Sequence, residues 1–124
     1  MGSWRPRPIW NGMKKEMTEF KNFDALDIRV GKIVNVEDTE TKKPTYRVTI
    51  DFGEEVGTKV SCAGYKSYAK EDLFGKLIVA VVNLPPKQVG PETSEVLILG
   101  ASNEKGEPIY LTPESAVPLG TRVF

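Results

Sequence analysis

There is no histidine in this chain of 124 residues and only one cysteine, Cys62. The first absence removes the commonest metal ligand and the commonest general base. The second rules out an internal disulfide and leaves any zinc site to carboxylates almost alone, so no metal and no cofactor are expected. A lone thiol also fits a reducing compartment. Long apolar runs are missing as well: none approaches the roughly 20 residues that cross a bilayer. Arg5 and Arg7 are followed by no apolar segment, so no signal peptide is read and the expected setting is the cytoplasm, without membrane insertion. Net charge is absent, with 17 lysines and arginines against 17 aspartates and glutamates. The balance is uneven along the chain. Residues 1–23 carry Arg5, Arg7, Lys14, Lys15 and Lys21 against Glu16 and Glu19, a surplus of three positive charges, and the rest carries the matching negative surplus. Nucleic-acid binders are usually basic. The acidic body therefore argues against tight, charge-driven binding while leaving a locally basic face open.

Catalysis has little support either. Ser61, Cys62 and Ser94 have no histidine to activate them. Gly53, Gly57, Gly64 and Gly75 are spaced as turn glycines, without a phosphate-loop or dinucleotide pattern. Glu54 and Glu55 fall in a turn, where solvation is their simplest fate. The chain is read as a non-enzyme.

What is present is strand pattern. At 124 residues one domain is expected. Two apolar runs, residues 77–82 and 96–99, have the length of strands and flank a polar connection. Pro85 and Pro86 deny a ladder two N–H donors, so the strand stops before them, and Gly90-Pro91 turns the chain. Upstream, residues 26–36 form a first strand broken at Gly31 by a bulge or corner. Tyr46, Val48 and Ile50 alternate with Arg47, Thr49 and Asp51 in a second, and residues 58–62 make a third with Val60 inward. Residues 53–57 read as a turn. Residues 69–74 form one or two helical turns ended by Gly75. Residues 109–112 make a further short strand, and residues 122–124 pair at the end. Met13, Met17 and Phe20 recur at helical spacing over residues 13–24, an amphipathic helix too short to stand alone. Its stripe either closes its own barrel as a lid or meets a second copy. Residues 1–12, with Trp4 and Trp10, show no period and are read as a leader or arm. The fold class is all-β with short helices: a five-stranded OB-fold Greek-key barrel with an N-terminal helix. The organisation is residues 1–22 as arm and helix and residues 23–124 as the barrel domain.

Single-stranded nucleic acid is held by aromatic faces for its bases and cations for its phosphates. Arg29, Lys32 and Arg47 fall on the first two strands, and Tyr65, Lys66 and Tyr68 on the following loop. Asn83, Pro85, Pro86, Lys87, Gln88, Ser94 and Glu95 form the expected functional rim. Asn83 and Ser94 there supply hydrogen bonds, the prolines hold the loop in shape, and Glu95 pairs a cation such as Lys32 or Arg29 or takes peptide amides.

Several motifs in order carry a resemblance. Phe23-Asp24-Ala25-Leu26-Asp27-Ile28-Arg29-Val30-Gly31-Lys32-Ile33-Val34 resembles the opening of the tRNA-binding domain family. Ile50-Asp51-Phe52-Gly53, Val81-Val82-Asn83-Leu84-Pro85-Pro86-Lys87, Ser94-Glu95-Val96-Leu97-Ile98-Leu99-Gly100-Ala101, Leu111-Thr112-Pro113-Glu114 and Pro118-Leu119-Gly120-Thr121 are similar to its later motifs. Val96 and Leu97 stand where synthetase-linked modules usually have Gly and Met, and in this the chain resembles the CsaA-type export chaperones. The resemblance implies an OB barrel paired as a homodimer through its N-terminal helix, with tRNA and unfolded or secretory polypeptides as partners. The alternative it leaves is a stand-alone tRNA-binding accessory module of aminoacyl-tRNA synthetases without chaperone activity.

Overall fold

A computed structural model describes residues 14–124. In chain order its elements are helix α1 (Phe20–Asp24), strands β1 (Ile28–Asp38) and β2 (Tyr46–Asp51), helix α2 (Gly53–Val56), strand β3 (Thr58–Ala63), helix α3 (Lys70–Leu73), and strands β4 (Leu77–Val81), β5 (Lys87–Val89), β6 (Glu92–Ser94), β7 (Leu97–Ile98), β8 (Gly100–Ser102) and β9 (Pro108–Tyr110). Five of them form one antiparallel sheet in the order β3-β2-β1-β4-β7, curled into a nearly closed barrel of the OB type. The β5–β6 and β8–β9 pairs are separate two-stranded ribbons.

β1 changes partners along its length. Its first half pairs with β4, Ile28 opposite Val81 through Lys32 opposite Leu77. Its second half pairs with β2, and the register shifts between Ile33 and Asn35. Gly31, expected to break the strand as a bulge or corner, instead keeps regular register opposite Ile78 on the inner side, upstream of the shift. A Cβ there would stand 2.5 Å from Ile50 Cγ2 and 2.7 Å from the Phe52 ring, so only glycine fits. The C-terminal segment covers the other edge of the first half: Val30 N–H donates to Thr121 O, Gly120 N–H to Val30 O and Val123 N–H to Ile28 O. Gly120 makes that turn at φ +86°. Arg29 pins it, donating through Nη1 to Gly120 O at 3.0 Å and gripping Asp27 with Nε at 2.6 Å and Nη2 at 3.2 Å.

The interior is filled by alternate residues. Tyr46, Val48 and Ile50 of β2, Ile78 and Ala80 of β4, and Ile33, Phe52, Val96 and Ile98 are all buried. Leu73 of α3, 1% exposed, plugs the barrel from below. Burying a side chain of this size contributes about 1.5–3 kcal/mol.

Closure depends on two side chains. Among the described residues no further strand of the main sheet lies beyond β3 to take its free N–H groups. Instead Ser94 Oγ accepts from Cys62 N–H at 2.9 Å, and Glu95 Oε1 accepts from Val60 N–H at 2.9 Å. Glu95 N–H donates back to Val60 O at 2.7 Å. Residues 94–95 thus act as a side-chain strand against the edge of β3.

Several expectations change. The helix read over residues 13–24 is formed only at Phe20–Asp24, with no buried residue; Met13 lies outside the described residues, as do residues 1–12. Met17 is 98% and Phe20 74% exposed, so the helix is no lid on its own barrel. On β3 the inward residues are Ser61 and Ala63, and Val60 faces outward opposite Thr49. Residues 53–57 hold a helical turn, α2. The connection before residue 96 is partly a hairpin, because Gly90 at φ +58° and Pro91 supply a tight two-residue turn. The last pairing is a single bridge, Arg29 with Arg122.

Removing the closing side chains tests the seam. Ser94→Ala and Glu95→Ala should each lower stability by about 1–3 kcal/mol, since each leaves a β3 N–H unpaired. Glu95→Gln should lose far less because its amide oxygen still accepts. Urea unfolding reads this, and equal stability for E95A and wild type rejects the seam. The Arg29 grip sets an acid limit. Hydrogen bonding from Arg29 holds the Asp27 carboxyl below its ordinary value of 3.8. A depressed folded-state pKa stabilises fully above the unfolded value and is lost as pH falls through the folded one. Wild type should therefore lose stability over that acid range more steeply than Asp27→Asn, as measured by unfolding at stepped pH.

Candidate nucleic-acid interface

With Val48 and Ile50 inside, the outer surface of β1, β2 and β3 follows from the pairing. It is a grid of three rows: Lys32, Asp51 and Thr58; Asn35, Thr49 and Val60; Glu37, Arg47 and Cys62. In OB barrels this strand face and the loops beside it take oligonucleotides. At one end of the grid stand residues 39–45 and the β5–β6 hairpin. They touch: a Cβ on Gly90 would lie 3.7 Å from Thr41 Cγ2. The loop is knotted by its own hydroxyls, with Thr45 Oγ1 2.5 Å from Thr39 Oγ1 and 2.7 Å from Thr41 Oγ1.

The face is electrically compensated. Arg47 binds Glu92 of β6 with both arms of its fork, Nε at 2.8 Å and Nη2 at 2.7 Å, and Glu37 through Nη1 at 3.1 Å. The Glu92 bond, then that to Glu37, pushes the guanidinium further up, and the same Arg47 contact holds the Glu92 carboxyl below its usual range. At the foot of the loop, Lys66 Nζ reaches Asp38 at 3.0 Å and lies 4.3 Å from the Tyr46 ring centre, while Lys70 takes the other Asp38 oxygen. Lys32, Lys42, Lys43 and Lys87 enter no ion pair among the described residues. Of these, Lys32, Lys42 and Lys43 are exposed and Lys87 half-buried.

The structure divides the expected site residues. Lys32 and Arg47 share the grid, Lys66 borders it, and Pro85, Pro86, Lys87 and Gln88 lead into and form the hairpin at its end. Gln88 is tied within the hairpin, donating to Gly90 O at 2.7 Å and accepting from Thr93 Oγ1 at 3.1 Å. The others serve the interior. Arg29 is buried on Asp27, Glu55 and Gly120. Tyr65 is a core residue beside Tyr68 and Tyr110, its phenol pushed up to about 12 by burial. Asn83 is exposed, yet its amide links Asp27 N–H at 2.8 Å and Ala25 O at 2.9 Å. Ser94, 1% exposed, and Glu95 close the barrel, and among the described residues Glu95 pairs with no cation. Lys42 and Lys43 were not singled out by sequence reasoning; the signal was a pair of lysines in the polar connection between β1 and β2. Glu92 was missed because only the hairpin brings it to Arg47.

Comparison with known proteins agrees with this geometry. Residues 28–122 match the family model described as "Putative tRNA binding domain". The chain is similar to chaperone CsaA of Bacillus anthracis (strain Ames), at 42% identity and a TM-score of 0.83, covering 88% of this chain and 100% of that one. It is similar to the CsaA chaperone protein of Picrophilus torridus at 43% identity and a TM-score of 0.82, covering 87% and 100%. It is also 40% identical over 114 residues to the methionine–tRNA ligase of Thermococcus onnurineus (strain NA1), covering 90% of this chain but 15% of that enzyme. The chain spans about that small fraction of the curated ligases it matches. Among the described residues no helix is long and apolar enough to cross a membrane. A family model matched over most of the barrel and CsaA chains covered along their whole length agree, and the chain belongs to the tRNA-binding domain family, in its CsaA-like form.

Proposed function

We propose that this protein is a homodimeric, CsaA-type chaperone that binds tRNA on its strand face and holds unfolded or export-bound polypeptides in the cytoplasm. The carrying observation is the reach of the likeness: the CsaA chains are covered over their whole length, the ligase only in part. Unpaired lysines support the tRNA half, since Lys32 stands on the grid, Lys42 and Lys43 on its bordering loop and Lys87 on the hairpin. In this reading residues 1–22 are the pairing element and residues 23–124 the binding domain, and no cofactor takes part. Support for pairing comes from α1, which buries none of its residues and shows Phe20 and Phe23 to solvent, with Met17 before it and Leu26 after it also exposed. Apolar side chains in water at these positions want a partner surface, and a two-fold pair of such helices supplies one. Phe74, Ile109 and Leu111, each exposed, support a polypeptide surface. The second reading, a tRNA-binding accessory module without chaperone activity, is favoured by the 40% identity to the ligase.

Three measurements separate these readings. Filter binding of unfractionated tRNA should give an affinity that falls as salt rises, with a slope of about −2 to −4 for a few phosphate contacts. No binding at low salt removes tRNA as a partner. Light scattering should give twice the chain mass for wild type and a folded monomer for the Phe20→Ser, Phe23→Ser double variant; a wild-type monomer ends the dimer. Suppression of aggregation of a denatured client at stoichiometric dimer supports the chaperone, and none leaves the accessory module.

A further inference from the structure

Arg47 stands on the grid, where an RNA phosphate would be met, yet each of its three nitrogens already donates to a carboxylate. Glu92 fills the guanidinium fork with both oxygens, at 2.8 and 2.7 Å, and Glu37 takes Nη1. This bidentate geometry is the one arginine offers to phosphate. Two carboxylates around one guanidinium leave the cluster with a net negative charge, which repels an approaching phosphate. The Glu92 side chain is 9% exposed against 38% for Arg47, so the carboxylate is buried while the cation stays partly open to solvent. Glu92 does not come from the sheet that carries Arg47. It comes from the β5–β6 ribbon, which shares no ladder with the main sheet. The ribbon is entered through exposed Pro85 and Pro86 and turned by Gly90-Pro91.

The geometry points to Glu92 as an internal stand-in for phosphate: it occupies Arg47 when RNA is absent, and tRNA must displace its carboxylate to engage that arginine. The inference rests on the tRNA reading above and adds to it a residue that sets affinity. Glu92 keeps the face weakly binding, so that only a ligand offering several phosphates at once displaces it.

Filter binding of unfractionated tRNA tests this with wild type, Glu92→Gln, Glu37→Gln and the Arg47→Met, Glu92→Gln double variant. E92Q should bind about 3–10-fold tighter at ~0.1 M salt, with a salt slope steeper by about one, because one more phosphate is engaged. E37Q changes net charge equally but leaves the fork filled, so its gain should be smaller. The double variant should lose the gain. If wild type binds and E92Q matches it in affinity and slope, the inference is overturned and the tRNA reading stands. Equal gains in E37Q and E92Q, or a gain that survives Arg47→Met, also overturn it. If E92Q lacks the wild-type unfolding transition, Glu92→Asp decides: it withdraws the carboxylate by one methylene at unchanged charge, and unchanged affinity rejects the stand-in. If neither wild type nor any variant binds tRNA at about 50 mM salt, both readings fall.

Discussion

The hydrogen bonds from the edge of β3 to Ser94 and Glu95 are what turn a five-stranded sheet into a barrel. β7 is two residues long and meets only β4 in the ladder. Without Ser94 Oγ and Glu95 Oε1 the N–H groups of Cys62 and Val60 would face an open seam. Unpaired backbone groups of that kind are costly and also invite pairing with other chains. Val96, fully buried, follows the staple directly, so the seam and the core are fixed by adjacent residues.

That seam also sets the place of the β5–β6 hairpin, whose last residue is Ser94. The ribbon leaves β4 through two prolines and returns into the staple, so its tip is carried to residues 39–45 and Glu92 is carried to Arg47. Structural closure and surface electrostatics are thus one construction. The face it produces is not the open basic stripe of a strong nucleic-acid binder. Its arginine and one of its bordering lysines are matched by Glu92, Glu37 and Asp38, in keeping with a chain of zero net charge.

Strand existence was legible where alternation was clean. Tyr46, Val48 and Ile50 point inward as their spacing implies, and Gly75 ends α3 with its N–H donating to Ile33 O. Gly31 was legible as a special position but not for its reason: the register shift falls between Ile33 and Asn35, and the glycine answers the close approach of Ile50 and Phe52. Val60 misled because β3 is short and its inner positions hold Ser61 and Ala63, which carry little hydrophobic signal. The helical spacing of Met17 and Phe20 misled, because only Phe20–Asp24 is helical and neither side chain packs into the described barrel. The site was half legible. Lys32, Arg47 and the 85–88 stretch lie on or beside one face. Arg29, Ser94 and Glu95 have the right chemistry but turn to the backbone, and residue type alone does not reveal which partner a polar group takes. Asn83 shows the same limit from outside, since it is exposed with its amide engaged.

Gly31 has one further meaning. The hydrogen that serves as its side chain is sandwiched between Ile50 and Phe52, both without solvent contact. Any larger group would need those two residues to shrink in the same step, and neighbours in contact change non-additively. A methyl group at position 31 is therefore tolerable only if Ile50 and Phe52 are cut back with it, so three positions of the core form one coupled unit.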